Sequence, residues 1–166
     1  MIKWESFDKN EIWILILLVI TFIIVKLLPK RLPRKITLLS FLWGIASGML
    51  FDFTIGGGLL DFYKVNDTHN YGIFDFLYYF LFAPFSYFFI YFYETLRVNK
   101  KSFIWYVLGW STLGLGMNWL LAKLDIIHFQ HGYELPYSFS VFLFIQTITV
   151  LYFELIKAKQ GDLKGA

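Results

Sequence analysis

Residues 12–35 read IWILILLVITFIIVKLLPKRLPRK. From 12 to 28 the run is nearly pure Ile, Leu, Val and Phe. Its length approaches the roughly 20 apolar residues that cross a hydrocarbon core as a helix. Lys30, Arg31, Arg34 and Lys35 follow at once. No small-residue cleavage site comes first, and the segment ahead of residue 12 mixes Lys3 and Lys9 with Glu5, Asp8 and Glu11. The block therefore reads as a retained helix with a positive stop rather than a signal peptide.

The same pattern repeats along the chain. Apolar segments cover about 12–28, 36–55, 72–94, 103–124 and 137–157, which predicts an all-α integral membrane bundle of about five transmembrane helices, read as a single domain over 1–166. Hydrophobic residues make up 58% of the 166 and charged residues 16%. Soluble domains carry nearer a quarter charged residues. Net charge is only +3 and cysteine is absent. The balance gives no case for nucleic acid, and the lack of thiols excludes disulfides, thiolate metal sites and cysteine nucleophiles.

Basic residues set the expected orientation, because short cytoplasmic loops are rich in Lys and Arg. Lys26, Lys30, Arg31, Arg34 and Lys35 flank the first loop, Arg97, Lys100 and Lys101 the third, and Lys157, Lys159 and Lys164 the tail. The second loop has Lys64 and the fourth only Lys123 at its edge. Five spans with this alternation put the N-terminus outside and the C-terminus inside. Trp13, Trp105, Tyr106, Trp119 and Tyr137 fall near span ends, where amphipathic rings favour the headgroup level.

Small and polar residues mark contact faces between membrane helices. Ser40, Gly44, Gly48 and Asp52 form one stripe on the second helix. Ser111, Gly114, Asn118 and Ala122 share a face of the fourth, and Ser140, Thr147 and Glu154 recur along the fifth. Gly44, Gly48, Ser111 and Gly114 are also where a partner protein or second copy would approach. Pro84 is expected to kink the third helix, and the glycine run at residues 56 to 58 to end the second.

Ionisable residues inside a bilayer need partners or a function. Glu94 has Arg97 three residues on and Glu154 has Lys157, spacings that pair carboxylate with cation on one helical face. Asp52 has no such neighbour. Asp75 and Asn118 are expected at similar depth, and together the three form the floor of an outward-opening polar pocket. Lys123, His128, His131 and Glu134 would stand at its rim, with Asp67, His69 and Tyr137 nearby. The candidate ligand is a lipid headgroup, a cation or a small polar solute. A buried network that only fixes helix register is the competing reading. The histidines match no metal-binding spacing and HExxH is absent, so no metal or cofactor is expected. No serine sits in a nucleophile elbow, which leaves no expected catalytic residue.

Several landmarks stand in order: Gly48 with Asp52, then Tyr63, Asp75 and Pro84. Leu108-Gly109-Trp110-Ser111 leads to Asn118-Trp119-Leu120, and Gly132-Tyr133 to Tyr137-Ser138. In these the chain resembles a family of small, uncharacterised multi-pass membrane proteins found mainly in spore-forming Firmicutes. Members of that family often carry an acid at the position of Asn118 and Trp at that of Tyr133. The resemblance implies a helical multi-pass fold in a bacterial plasma membrane and no established activity. Three functions compete: binding at the outer pocket, a small transporter or channel component, and a membrane-embedded enzyme acting on lipid. The Phe- and Leu-rich middle of the spans argues against a hydrated pore.

Overall fold

The computed structural model describes residues 9–65 and 73–162; Asp67 and His69 lie outside them. Among the described residues there are five helices and one two-stranded ribbon: α1 (Lys9–Leu27), α2 (Arg34–Thr54), β1 (Tyr63–Val65), α3 (Ile73–Thr95), α4 (Phe103–Lys123), β2 (Ile127–Phe129) and α5 (Tyr137–Asp162). Helices α1, α2, α3 and α5 are long and apolar enough to cross a membrane. The 21 residues of α4 suffice in length, but Gly109, Ser111, Thr112, Gly114, Gly116 and Asn118 dilute its apolar character. α5 runs past the expected residue 157 because Lys, Ala and Gln are good helix formers whether or not lipid surrounds them.

The ribbon was not legible in the hydrophobic pattern. Its strands are antiparallel, with Tyr63 opposite Phe129 and Val65 opposite Ile127. This pairing puts the segments after α2 and after α4 at the same end of the bundle, called here the ribbon end. The ribbon is tied at its base by Gln130, whose Nε2 donates to the Asp61 carbonyl at 3.0 Å. The His131 Nδ1 lies 2.7 Å from that same oxygen.

Two packed groups of helices follow from the contact faces. α3 is the hub of the first, with α2 and α1 laid along it; α4 and α5 form the second. The α2 stripe is buried as a unit: Ile36, Ser40, Gly44, Gly48 and Asp52. At Gly44 an added Cβ would stand 2.2 Å from the Phe82 carbonyl oxygen, so only glycine lets the two backbones come this close. Gly48 faces the Phe82 ring and Gly114 the Phe142 ring. Ser111 is fully buried, its hydroxyl donating to the Val107 carbonyl at 2.8 Å. The contacts of Gly44, Gly48, Ser111 and Gly114 are therefore spent inside the chain, and a second copy would have to approach by other faces.

The groups meet in two apolar clusters. At the ribbon end, Ile14, Tyr78, Tyr79, Leu121, Ile126 and Ile127 pack together. At the opposite end, Ile36, Phe89, Ile90, Tyr93, Val150 and Phe153 do so. Between them α2 reaches α5 through Trp43, whose indole N–H donates to Thr149 Oγ1 at 2.9 Å and whose ring stacks on Tyr152.

Two expected features are corrected. On α5 the buried polar residues are Ser138, Gln146 and Thr149, while Ser140 and Glu154 are exposed. Thr147 bonds its own backbone, Oγ1 to the Leu143 carbonyl at 2.8 Å, so it has no need of a neighbouring helix. Nor do the carboxylates pair within their helices as spacing suggests. α3 stops at Thr95, and Arg97 beyond it takes a left-handed φ of 49°, off the helical face that pairing at three residues requires. Glu94 instead receives a hydrogen bond from Lys157 on α5.

Candidate functional site

Three polar groupings lie on the line from the ribbon end to the middle of the bundle. The first holds Asp52 and Asp75. Asp52 is 3% exposed, and its Oδ2 accepts a 2.6 Å hydrogen bond from the Tyr79 hydroxyl. Its Oδ1 lies where a Cβ on Gly56 would be only 2.6 Å away, with the Tyr63 ring beside the same spot. Asp75, also buried, is near enough to repel the Asp52 carboxylate. Two of the three expected floor residues, the aspartates, thus come together, beside tyrosines.

Asn118 goes elsewhere. Its Nδ2 donates to Ser138 Oγ at 2.8 Å, and the Tyr133 hydroxyl is 3.1 Å from that oxygen. Tyr133 is held by ring contacts with Phe62, Phe129 and Tyr137. Burial pushes its hydroxyl above the ordinary tyrosine value, partly offset by the Ser138 hydrogen bond, so it stays a donor at physiological pH.

The third grouping is at mid-depth. Gln146 is 5% exposed and Ser86 Oγ is buried. Among the described residues the Ser86 hydroxyl is sealed without a hydrogen-bond partner, and the Gln146 amide, which is not sealed but borders the cavity, makes no hydrogen bond. Ser47 on α2 and Thr149 on α5 line the same space, both bonded to their own helix backbone, at 2.7 Å each.

The second and third groupings line one cavity of about 160 Å³ between the two helix groups. Its walls are mainly Phe51, Leu81, Phe82, Phe85, Phe142 and Ile145. Along α5 the lining runs from Ser138 to Thr149, which at 1.5 Å per residue is a cleft about 16 Å long. It starts under Tyr63, Ile127 and Tyr133 and stops above the second apolar cluster. Among the described residues, Asp52 and Asp75 do not line it, and no charged side chain does.

The remaining expected residues stay outside the cleft. Lys123 is exposed, its Nζ 5.8 Å above the Trp119 ring. His128 is exposed on β2 opposite Lys64, His131 is exposed beside Asp61, and Glu134 is exposed. Among the described residues no three His, Asp or Glu side chains gather as metal ligands. Gln146 and Ser86 escape a reading centred on ionisable groups. The available signal was an amide alone in the apolar stretch VFLFIQTITVLYF, since a polar side chain in lipid needs a partner as a charge does.

Comparison with known proteins finds no matching family model, no matching curated protein and no matching solved structure.

Proposed function

We propose that the chain crosses a bacterial plasma membrane five times, N-terminus outside, and binds a neutral, lipid-like amphipathic molecule in the cleft between its two helix groups. Four helices supply the length and apolar character for crossing. The case for α4 is geometric. Tyr106 near its start packs on Phe89 and Tyr93, and Leu121 near its end joins Tyr78 in the opposite cluster, so the two ends of α4 reach the two levels that α3 spans, while its length packs on α5. The basic residues at the end away from the ribbon support a cytoplasmic face there. The ribbon end is then outside.

The observation that carries the ligand class is the cleft's lining: aromatic and aliphatic walls, uncharged polar groups and, among the described residues, no charged side chain. An ion in such a site would lose its hydration with nothing to replace it. A neutral molecule with an apolar skeleton loses little. The packed cluster of Ile36, Phe89, Ile90, Val150 and Phe153 beyond the blind end supports a binding cleft over a pore. The two aspartates, with Asp52 hydrogen-bonded to Tyr79, are read as structure rather than as a cation site.

Trp43 lines the cleft and offers a reporter. In nanodiscs, bromodecane is expected to quench Trp43 fluorescence saturably, taken as the difference between the protein and Trp43→Phe. Ser47→Phe, which fills the cleft, should abolish saturation. Quenching that rises linearly with bromodecane and is the same in Ser47→Phe would refute the binding cleft.

A further inference from the structure

Gln146 is an amide with nineteen-twentieths of its surface covered, in the wall of an apolar cleft, with no partner among the described residues. Ser86, on α3 and also lining the cleft, has a sealed hydroxyl with no partner among the described residues. Buried polar groups are ordinarily satisfied, and each one left open costs about 1–3 kcal/mol. A second opening lies nearer the ribbon. Asn118 spends its Nδ2 on Ser138, and among the described residues its carbonyl oxygen has no partner. From Ser138 to Gln146 is eight residues of helix, or about 12 Å. The cleft thus has two uncharged hydrogen-bonding stations separated by apolar wall.

Resting on the neutral-ligand reading above, we infer that these stations are a specificity ruler. The ligand carries two uncharged hydrogen-bonding groups, hydroxyl or carbonyl in character, at the two ends of an apolar skeleton about 12 Å long. The upper group accepts from Tyr133 or Ser138 and donates to the Asn118 oxygen. The lower one meets the amide of Gln146 and the hydroxyl of Ser86. Both stations hold donors and acceptors, so a hydroxyl satisfies either in either sense. A headgroup with a charge is excluded from the lower station because nothing there balances it.

Competition against bromodecane at Trp43 tests this, using decane, decanol and the terminal decanediol. Each competitor is compared with itself across protein variants, which cancels its partition into lipid. The diol is expected to bind Gln146→Leu and Ser86→Ala each roughly three- to tenfold more weakly than the unaltered protein, the scale of one hydrogen bond in an apolar site. Decane should bind all three alike. Asn118→Leu should weaken diol and decanol together. If Gln146→Leu and Ser86→Ala leave diol binding unchanged, or weaken decane as much as diol, the ruler is overturned while the cleft stands. If bromodecane itself never saturates, ruler and cleft fall together. Ser86→Ala, a small change, keeps the test open should Gln146→Leu not accumulate.

Discussion

Asp52, singled out by its chemistry in the sequence, is buried and hydrogen-bonded in the fold. A carboxylate with no cation nearby in the sequence invites a functional reading. Folding instead supplies the Tyr79 hydroxyl at 2.6 Å and leaves room at Gly56 for the second oxygen. Tyr79→Phe removes the donor and leaves a buried acceptor short. We expect a loss of about 1–3 kcal/mol, read as a lower thermal midpoint in detergent, with bromodecane quenching at Trp43 retained. An unchanged midpoint would show that other groups hold the carboxylate. Gln146 should behave oppositely. Gln146→Leu replaces an unserved amide with an apolar side chain of similar size, so the ligand-free protein is expected to melt no lower than the unaltered one, and a clear drop would mean that the amide has a partner in the folded protein. The sequence pointed to Asp52 and passed over Gln146 because it displays charge but not unmet hydrogen-bonding capacity, which is a property of the packed surroundings.

At the scale of elements, the second helix was readable almost completely. Ser40, Gly44, Gly48 and Asp52 step by four, and the same four residues, with Ile36, are its buried line. Period and residue size together specify which face meets α3. The substitutions there should differ in cost. Gly44→Ala drives a methyl into the Phe82 carbonyl, part of a helix backbone that cannot swing aside, whereas Gly48→Ala meets the Phe82 ring, which can turn. Overpacking of this kind costs about 1–3 kcal/mol. Gly44→Ala is expected at the upper end and Gly48→Ala well below it, measured as shifts in thermal midpoint; the reverse order would place the close helix contact elsewhere. α5 was misread because its Ser and Thr are no guide to its face. Thr147 and Thr149 both bond backbone one turn back, so their hydroxyls are served in either orientation. The ribbon was invisible for a different reason. Three-residue strands 62 or more positions apart leave no local periodicity, and Tyr63 with Phe129 becomes a pair only once α2 and α4 end at the same level.

For the whole molecule, apolar length and loop charge carried most of what could be read in advance, and the cleft carried what could not. A space between α1–α3 and α4–α5 is a property of how the groups lean together. No single helix encodes it. Membrane crossing also explains the surface: large apolar side chains such as Val19, Ile23, Leu42, Phe144 and Leu151 are exposed on several helices, where water would favour association and lipid asks for nothing else. The decisive element at this scale is α4, the one helix of the described five that is not among the four long and apolar enough to cross. The natural chain has no cysteine, so single thiols can be placed at will. Glu134→Cys sits beyond the ribbon end of α4 and Lys100→Cys just before its start, both at exposed positions. Labelling with a membrane-impermeant maleimide decides the matter. Five crossings with the N-terminus outside predict that Glu134→Cys reacts in intact cells and Lys100→Cys only after permeabilisation. Reaction of both thiols in intact cells, or of neither, would mean that α4 does not cross and that the five-span topology falls.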